Sequence, residues 1–195
     1  LKDFETVYQF GKKVDVLTIE IEHVNVEALK KLKSEGVKVY PEPEALEIIG
    51  NKCLQKSHYA SHQIATAPFQ NFESTADAQK ATGSFPCVWK SATGGYDGKG
   101  VKILKSTEDF NELPDVPCLI EELIDFEKEL AVIVASSASG EQKSYPVVGM
   151  DFHPEANQVE FVVCPANIDR TIANKARELA LTVAKSLGVT GLLAV

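Results

Sequence analysis

The sequence predicts a mixed fold, with an α/β segment at the start of the chain followed by an α+β region with antiparallel strands. The first observation is a strand–helix–strand pattern over residues 14–40, which is typical of strands that pair in parallel. The second is a series of strand-like runs after residue 85, separated by turns, which favours antiparallel pairing. We therefore expect a short α/β unit and a larger mixed region.

The α/β segment begins with a short helix and continues into a buried strand rich in β-branched residues. Asn25 is a residue type that caps helices, and Gly36 is a type that ends them. The predicted elements are a helix over residues 4–13, a strand over 14–19, a helix over 26–35 and a strand over 37–40.

Pro41 and Pro43 mark a break after this unit. Ser74 and Ser106 are residue types that open helices. The predicted elements are helices over 43–49 and 52–63, an extended segment over 64–69, a helix over 74–81, strands over 85–90 and 101–104, and a helix over 108–113.

The last part of the chain combines a strand meander with one long helix. We predict strands over residues 118–121, 129–136, 143–150, 158–164 and 189–195. Asp169 caps an amphipathic helix that runs to residue 187. Its predicted buried face consists of Ile172, Ala176, Leu179, Ala180 and Val183.

Composition excludes several classes of protein. The 195 residues carry a formal net charge of −8, which argues against a general nucleic-acid binder or a binder of anionic membranes. No apolar run reaches about 18 residues, so we expect no transmembrane helix. The four cysteines contain no C-x-x-C pair, which favours reduced thiols and a cytoplasmic location. The chain starts without Met and ends within an apolar run, so we expect a fragment of a longer protein.

The segment from Thr93 to Gly100 contains four glycines in eight residues and joins two predicted strands. Glycines let backbone N–H groups approach an anion closely, which suits a cover over phosphates. The pattern matches neither G-x-x-x-x-G-K-[ST] nor G-x-G-x-x-G. The alternative is an ordinary hairpin loop with Asp-Gly turn chemistry, although hairpin loops usually have about 2–5 residues.

Charged residues flank this loop and the strand that follows it. Lys90 ends the strand before the loop and can hold a phosphate, or it can simply reach solvent. Lys52 lies at the start of a predicted helix. Glu121 and Glu122 follow an apolar strand, and Glu129 lies further on, an arrangement compatible with a segment that binds a purine and its ribose. Taken singly, each acid also fits a solvent-facing charge.

Two further groups have open interpretations. Glu20 and Glu22 point to the same face of a strand, at the end where α/β sheets bind ligands, or they form a solvated strand end. His58 and His62 have the helical spacing of a metal-ligand pair, but without a third ligand a solvated helix face is favoured.

Four segments together resemble the ATP-grasp superfamily and, within it, the carboxyaminoimidazole ribonucleotide synthetases, ATP-dependent enzymes of purine biosynthesis. The segments are 15–24, 51–56, Lys90 with 93–100, and 121–129. The resemblance implies the C-terminal part of a Rossmann-like pre-ATP-grasp domain, followed by an incomplete ATP-grasp module with an antiparallel sheet. Residues 1–42 would be the remainder of the N-terminal αβ substrate domain, 43–115 the small lobe with the glycine loop, and 116–195 the truncated large lobe.

The resemblance also implies the chemistry. ATP and Mg²⁺ would support carboxylation of aminoimidazole ribonucleotide with bicarbonate through carboxyphosphate, by an enzyme that is a homodimer at full length. The implied substrate-binding residue is Glu20, and the implied catalytic residues are Tyr96, Asp97 and Lys99. The implied ATP-binding residues are Lys52, Lys90, Gly95, Tyr96, Asp97, Gly98, Lys99, Gly100, Glu121, Glu122, Leu123, Ile124 and Glu129. We expect the magnesium ligands after Val195, and we expect this chain alone not to complete the reaction.

Two alternatives stay open at this point. One is another ATP-grasp ligase, such as the formate-dependent glycinamide ribonucleotide transformylase. The other is a non-catalytic module that binds ATP.

Overall fold

The structure is a computed structural model, and it describes residues 1–21, 23–95, 100–152 and 159–195. The helices are α1 (Phe4–Gly11), α2 (Val26–Ser34), α3 (Pro43–Ile49), α4 (Lys52–Ser61), α5 (Thr75–Ala81), a 3₁₀ helix (Thr107–Glu112) and α6 (Arg170–Ser186). The strands are β1 (Val16–Thr18), β2 (Lys38–Tyr40), β3 (Phe69–Phe72), β4 (Cys87–Ser91), β5 (Val101–Leu104), β6 (Cys118–Glu122), β7 (Glu129–Ala131), β8 (Ile133–Ser136), β9 (Gln142–Ser144), β10 (Val148–Phe152), β11 (Val159–Val163) and β12 (Gly191–Ala194).

The chain divides into two compact units. The first unit consists of Leu1–Gly50, Leu130–Val148 and Cys164–Val195. The second consists of Asn51–Glu129 and Gly149–Val163. The three-part division at residues 42/43 and 115/116 stays a prediction.

The start of the first unit is the predicted parallel α/β element. β1 and β2 pair in parallel, with Leu17 opposite Val39. The Asn25 side chain accepts a hydrogen bond from the Ala28 backbone N–H at 2.9 Å, which caps α2 as predicted. Gly36 follows the helix with φ +96°, a conformation that glycine adopts without strain. Leu29 and other apolar side chains of α1, α2 and the two strands form the core of this element.

The first unit also contains a three-stranded antiparallel sheet in the order β12-β8-β9. Helix α6 buries Ala180, Val183 and Ala184. Ile172 and Leu179, which we expected on the buried face, are 49% and 39% exposed. The prediction was therefore wrong for these two residues. The buried face of α6 consists largely of small residues, and the bulkier Ile172 and Leu179 lie beside it.

The second unit is built on a four-stranded antiparallel sheet in the order β3-β6-β4-β5. One face of this sheet packs against α5 and the 3₁₀ helix. The core on that face consists of Ala78, Cys87, Trp89, Leu104, Phe110 and Cys118. The glycine loop joins β4 to β5, as the sequence indicates.

Three strand predictions were wrong in their bounds. The predicted strand 129–136 divides at Val132 into β7 and β8, which belong to different sheets. The backbone groups of Val132 and Val195 exchange two hydrogen bonds at this division. The predicted strand 143–150 divides near Pro146, which has no N–H to donate to a sheet. Residues 69–72, only the first of which we expected to be extended, form β3 along β6.

All four cysteines have free thiols, and two of them, Cys87 and Cys118, are buried. No helix in the described ranges has both the length and the apolar character needed to cross a bilayer.

Candidate functional site

The alternation of side chains along β4 separates a core face of the sheet from a second face. Trp89 lies opposite Ile120 and belongs to the core face. Lys90 lies opposite Leu119, and Val88 lies opposite Glu121. Because directly opposed residues share a face, Lys90 and Glu121 both project from the second face.

Helix α4 is attached to this second face. The Asn51 side chain accepts from the backbone N–H groups of Cys53 and Leu54 at 2.9 and 3.1 Å, which fixes the start of the helix. The Lys52 backbone N–H donates to the Ala92 carbonyl at 2.8 Å, next to the glycine loop. From β3, the Asn71 side chain donates to the Cys53 carbonyl at 3.2 Å. These bonds place the lysines of α4 beside β4 and β6.

Glu121 is the centre of a buried cluster of charges. Its side chain is 7% exposed, and its Oε1 contacts the Lys90 ammonium. Its Oε2 lies 2.7 Å from the Lys56 Nζ, an ion pair without the alignment of a hydrogen bond. Burial raises the pKa of the Glu121 carboxyl, but Lys56 and Lys90 outweigh burial, so the net pKa lies below the ordinary value. The carboxylate is therefore held in its ionised form.

Lys52 adds a third positive charge close to this cluster. Burial lowers the pKa of the Lys52 ammonium, and the charge of Lys90 lowers it further. A cation that is partly desolvated and repelled by a neighbouring cation is stabilised when an anion arrives. Lys52 and Lys90, both predicted as site residues, thus lie at the same end of the glycine loop, a setting suited to a polyanion such as a phosphate chain.

The two ends of the glycine loop converge beside Lys90. The Ser91 N–H donates to the Gly100 carbonyl at 2.9 Å. Gly94 and Gly100 have φ of +77° and +76°. A Cβ on Gly100 would lie 2.4 Å from the Ser91 Oγ and 3.0 Å from the Gly95 Cα, so only glycine fits there without displacement.

The four residues at the tip of the loop are Tyr96, Asp97, Gly98 and Lys99, and they lie outside the described residues. Their predicted catalytic and ATP-binding roles therefore stay predictions. Glu22 lies outside the described residues as well.

The segment after β6 leaves backbone groups available to a ligand. Glu121 and Glu122 end the strand, and Leu123 and Ile124 follow it without regular structure. Within the described ranges, the N–H groups of Leu123 and Ile124 donate to no backbone carbonyl. Glu129, the last residue of the predicted purine- and ribose-binding segment, begins β7 and is half-buried.

Glu20 belongs to the first unit. It is exposed and lines a cavity of about 400 Å³. The other lining residues are mostly apolar and come from the first residue of the chain, from α1 and from the segment around β1.

The residues described hold no metal centre. Among them, no group of three or more His, Cys, Asp and Glu side chains is placed to hold an ion. The rings of His58 and His62 lie 4.1 Å apart, and the Nδ1 of His62 lies 2.9 Å from the His58 carbonyl oxygen.

Lys56 was not predicted from the sequence as a site residue. The signal that could have found it is its position one helical turn after Lys52, on the same face of α4. Its partner Glu121 is remote in sequence, so the ion pair itself has no local signal.

Comparison with known proteins agrees with this geometry. Residues 57–195 match the model of the ATP-grasp domain, and residues 1–50 match the model of the ribonucleotide synthetase preATP-grasp domain. The phosphoribosylaminoimidazole carboxylase of Ogataea methanolica is 36% identical over 201 residues, which cover 99% of this chain and 37% of the relative.

Two solved structures are similar over nearly the whole chain. The first is carboxyaminoimidazole ribonucleotide synthase from Aspergillus clavatus, complexed with ATP, with a TM-score of 0.89 and 34% sequence identity. The match covers 99% of the present chain and 52% of the Aspergillus clavatus chain. The second is N5-carboxyaminoimidazole synthase from Aspergillus clavatus, in complex with ADP and 5-aminoimidazole ribonucleotide, with a TM-score of 0.86 and 32% sequence identity. This match covers 99% of the present chain and 51% of the solved one. The chain thus spans about half the length of these structures.

Proposed function

Because the chain belongs to the ATP-grasp family, we propose that it forms part of an enzyme that carboxylates aminoimidazole ribonucleotide with bicarbonate at the expense of ATP. The observation that carries the proposal is the Lys90–Glu121 ion pair next to the glycine loop, together with the backbone bond that holds Lys52 to Ala92 of the same loop region. The names and ligands of the similar proteins support the same substrates.

In this proposal the second unit binds ATP. Lys52 and Lys90 neutralise phosphate oxygens, and the backbone N–H groups of the loop, including those of Gly95 and Gly100, donate to them. A phosphate chain would relieve the repulsion between the two lysines, because its negative charge compensates both ammonium groups.

The same face of the sheet offers an apolar surface for the purine. Ile103 lies opposite Val88 in the register of β4 and β5 and is 49% exposed. A flat base can lie against Val88 and Ile103 while its edge meets the backbone N–H groups of Leu123 and Ile124. Glu129 would then accept hydrogen bonds from the ribose hydroxyls.

The proposed chemistry has two steps. A bicarbonate oxygen attacks the γ-phosphorus of ATP, the bond to the β-phosphate oxygen breaks, and ADP leaves carboxyphosphate behind. The amine of aminoimidazole ribonucleotide then bonds to the carboxyl carbon, directly or after carbon dioxide is released, and inorganic phosphate departs. Positioning and neutralisation of charge are the main requirements of such phosphoryl transfer, and the lysine cluster supplies both.

Magnesium, when bound with ATP, would supply positive charge that offsets the charge of the phosphates. The described residues provide no cluster of acids for it, so we assign none of them as a metal ligand. Glu20 is proposed to bind the second substrate. Tyr96, Asp97 and Lys99 are proposed as catalytic residues. A homodimer at full length and a cytoplasmic location belong to the same proposal.

The test is ADP release by the full-length natural protein. We expect release that requires both aminoimidazole ribonucleotide and bicarbonate. Release with glycinamide ribonucleotide and formate instead would favour the transformylase alternative. ATP binding without turnover of either substrate pair would favour a non-catalytic module and contradict the proposal.

A further inference from the structure

One lysine of the buried cluster has no part in the proposed binding of ATP. The Lys56 Nζ lies 2.7 Å from the Glu121 Oε2 and donates a hydrogen bond to the Thr66 hydroxyl at 2.6 Å. It also lies 5.7 Å from the centroid of the Phe69 ring. The Lys56 side chain is only 13% exposed, so it is fixed between α4, β3 and β6.

Lys90 is held more loosely than Lys56. Its side chain is 27% exposed, and among the described residues its only acidic contact is Glu121. The two lysines therefore share the Glu121 carboxylate, and each contacts a different oxygen. Lys56 also contacts the Thr66 hydroxyl and the Phe69 ring.

The net charge of the three groups Lys56, Lys90 and Glu121 matters for nucleotide binding. Two ammonium groups on one carboxylate leave one positive charge in excess. When a phosphate draws Lys90 away, the 7% exposed carboxylate of Glu121 must keep a partner, because a buried carboxylate without one is strongly destabilised. Lys56 is placed to be that partner.

We propose that Lys56 is a positioning residue for nucleotide binding: as the permanent counter-charge of Glu121, it allows Lys90 to move from that carboxylate to a nucleotide phosphate. Without Lys56, Lys90 is the sole partner of the buried carboxylate, and the phosphate has to compete for it. The proposal rests on the proposed function in so far as the ligand is an adenine nucleotide.

A purely structural role for Lys56, as a link between α4 and the sheet, makes a different prediction. Loss of such a link weakens folding, and removal of Glu121 as well cannot repair it. In our proposal the Glu121 carboxylate is what retains Lys90, so neutralising that carboxylate removes the need for Lys56. A double-mutant cycle between these two residues separates the two roles.

The experiment measures the dissociation constant of ADP by calorimetry, with urea unfolding in parallel, for wild type, Lys56→Gln, Lys56→Arg, Glu121→Gln and Lys56→Gln/Glu121→Gln. We expect Lys56→Gln to weaken ADP binding about tenfold or more, and Lys56→Arg, which keeps the charge, to stay within about threefold of wild type. In the Glu121→Gln background, Lys56→Gln should change the affinity by less than about twofold. Lys80→Gln is the matched control, because Lys80 is an exposed lysine paired with Asp77.

Should Lys56→Gln fail to fold, Lys56→Met keeps the aliphatic stem and carries the same expectation. The proposal is overturned if the neutral Lys56 variant binds ADP like wild type, or if the loss persists in the Glu121→Gln background. Wild-type protein that does not bind ADP would overturn the proposed function and this proposal together, whereas wild-type binding with an unaffected Lys56 variant overturns this proposal alone.

Discussion

Lys90 and Glu121 meet across two neighbouring antiparallel strands although they are not opposite each other in register. Lys90 pairs with Leu119, and Glu121 pairs with Val88, so the two charged residues are diagonal neighbours on one face. A long lysine side chain can span such a diagonal. The contact places the Lys90 ammonium on the same carboxylate that Lys56 of α4 contacts from its other oxygen.

Replacement of Lys90 should weaken nucleotide binding more than it weakens folding. We expect Lys90→Ala to reduce ADP affinity by at least about tenfold, which corresponds to about 1.4 kcal/mol. Glu121 keeps Lys56 as a partner in this variant, so the urea unfolding midpoint should change little. Calorimetry with Lys80→Ala as an exposed-lysine control provides the measurement. Equal affinity in wild type and Lys90→Ala would remove this lysine from the nucleotide site.

The ionised state of Glu121 should appear in the pH dependence of stability. Its pKa in the folded protein lies below the ordinary value of 4.5, so its contribution to stability is fully present above the unfolded-state pKa. That contribution is lost as the pH falls through the folded-state pKa. The difference in free energy of unfolding between wild type and Glu121→Gln should therefore shrink as the pH falls below the ordinary pKa of 4.5. A difference that stays constant over this range would show that the carboxylate charge is not what stabilises the cluster.

Two glycines of the glycine loop should differ in their tolerance of alanine. Gly94 and Gly100 have nearly the same positive φ, but a Cβ on Gly94 meets no atom within 4 Å, whereas one on Gly100 meets Ser91 and Gly95. We expect Gly94→Ala to cost about 1–2 kcal/mol from the backbone conformation alone. Gly100→Ala should cost about 1–3 kcal/mol more because of crowding. Urea unfolding of the two variants tests this, and equal losses would contradict the crowded geometry at Gly100.

Glu42 should stabilise the first unit through Thr190. Glu42 is the N-cap residue of α3, but its side chain makes no capping bond. Its carboxylate accepts from the Thr190 N–H at 2.9 Å and from the Thr190 hydroxyl at 2.8 Å. Because hydrogen bonds to charged groups contribute about 1.5–3 kcal/mol, we expect Glu42→Ala to destabilise the protein by an amount in that range.

Thr190→Val is the matched variant, since it removes the hydroxyl bond and leaves the N–H bond. It should destabilise the protein by less than Glu42→Ala in the same urea experiment. A loss in Thr190→Val as large as in Glu42→Ala would mean that the backbone bond contributes nothing.

Elements with local signals could be predicted from the amino-acid sequence alone. Asn25, Ser74 and Asp169 cap helices as expected, because an N-cap side chain reaches only its own first turn. The glycine loop between two antiparallel strands was predictable for the same reason. The family resemblance, carried by short segments around Lys90 and Glu121, was also available from the sequence and was confirmed by the match to the ATP-grasp model.

Which charged residues meet depends on tertiary contacts. Glu121 was expected near the nucleotide, but its burial between Lys56 and Lys90 follows from the register of β4 and β6 and from the attachment of α4. The division of the predicted strand at Val132 and the exposure of Ile172 and Leu179 are likewise tertiary. Such features depend on partners that are distant in sequence, and the strength of an ion pair depends on the burial that those partners create.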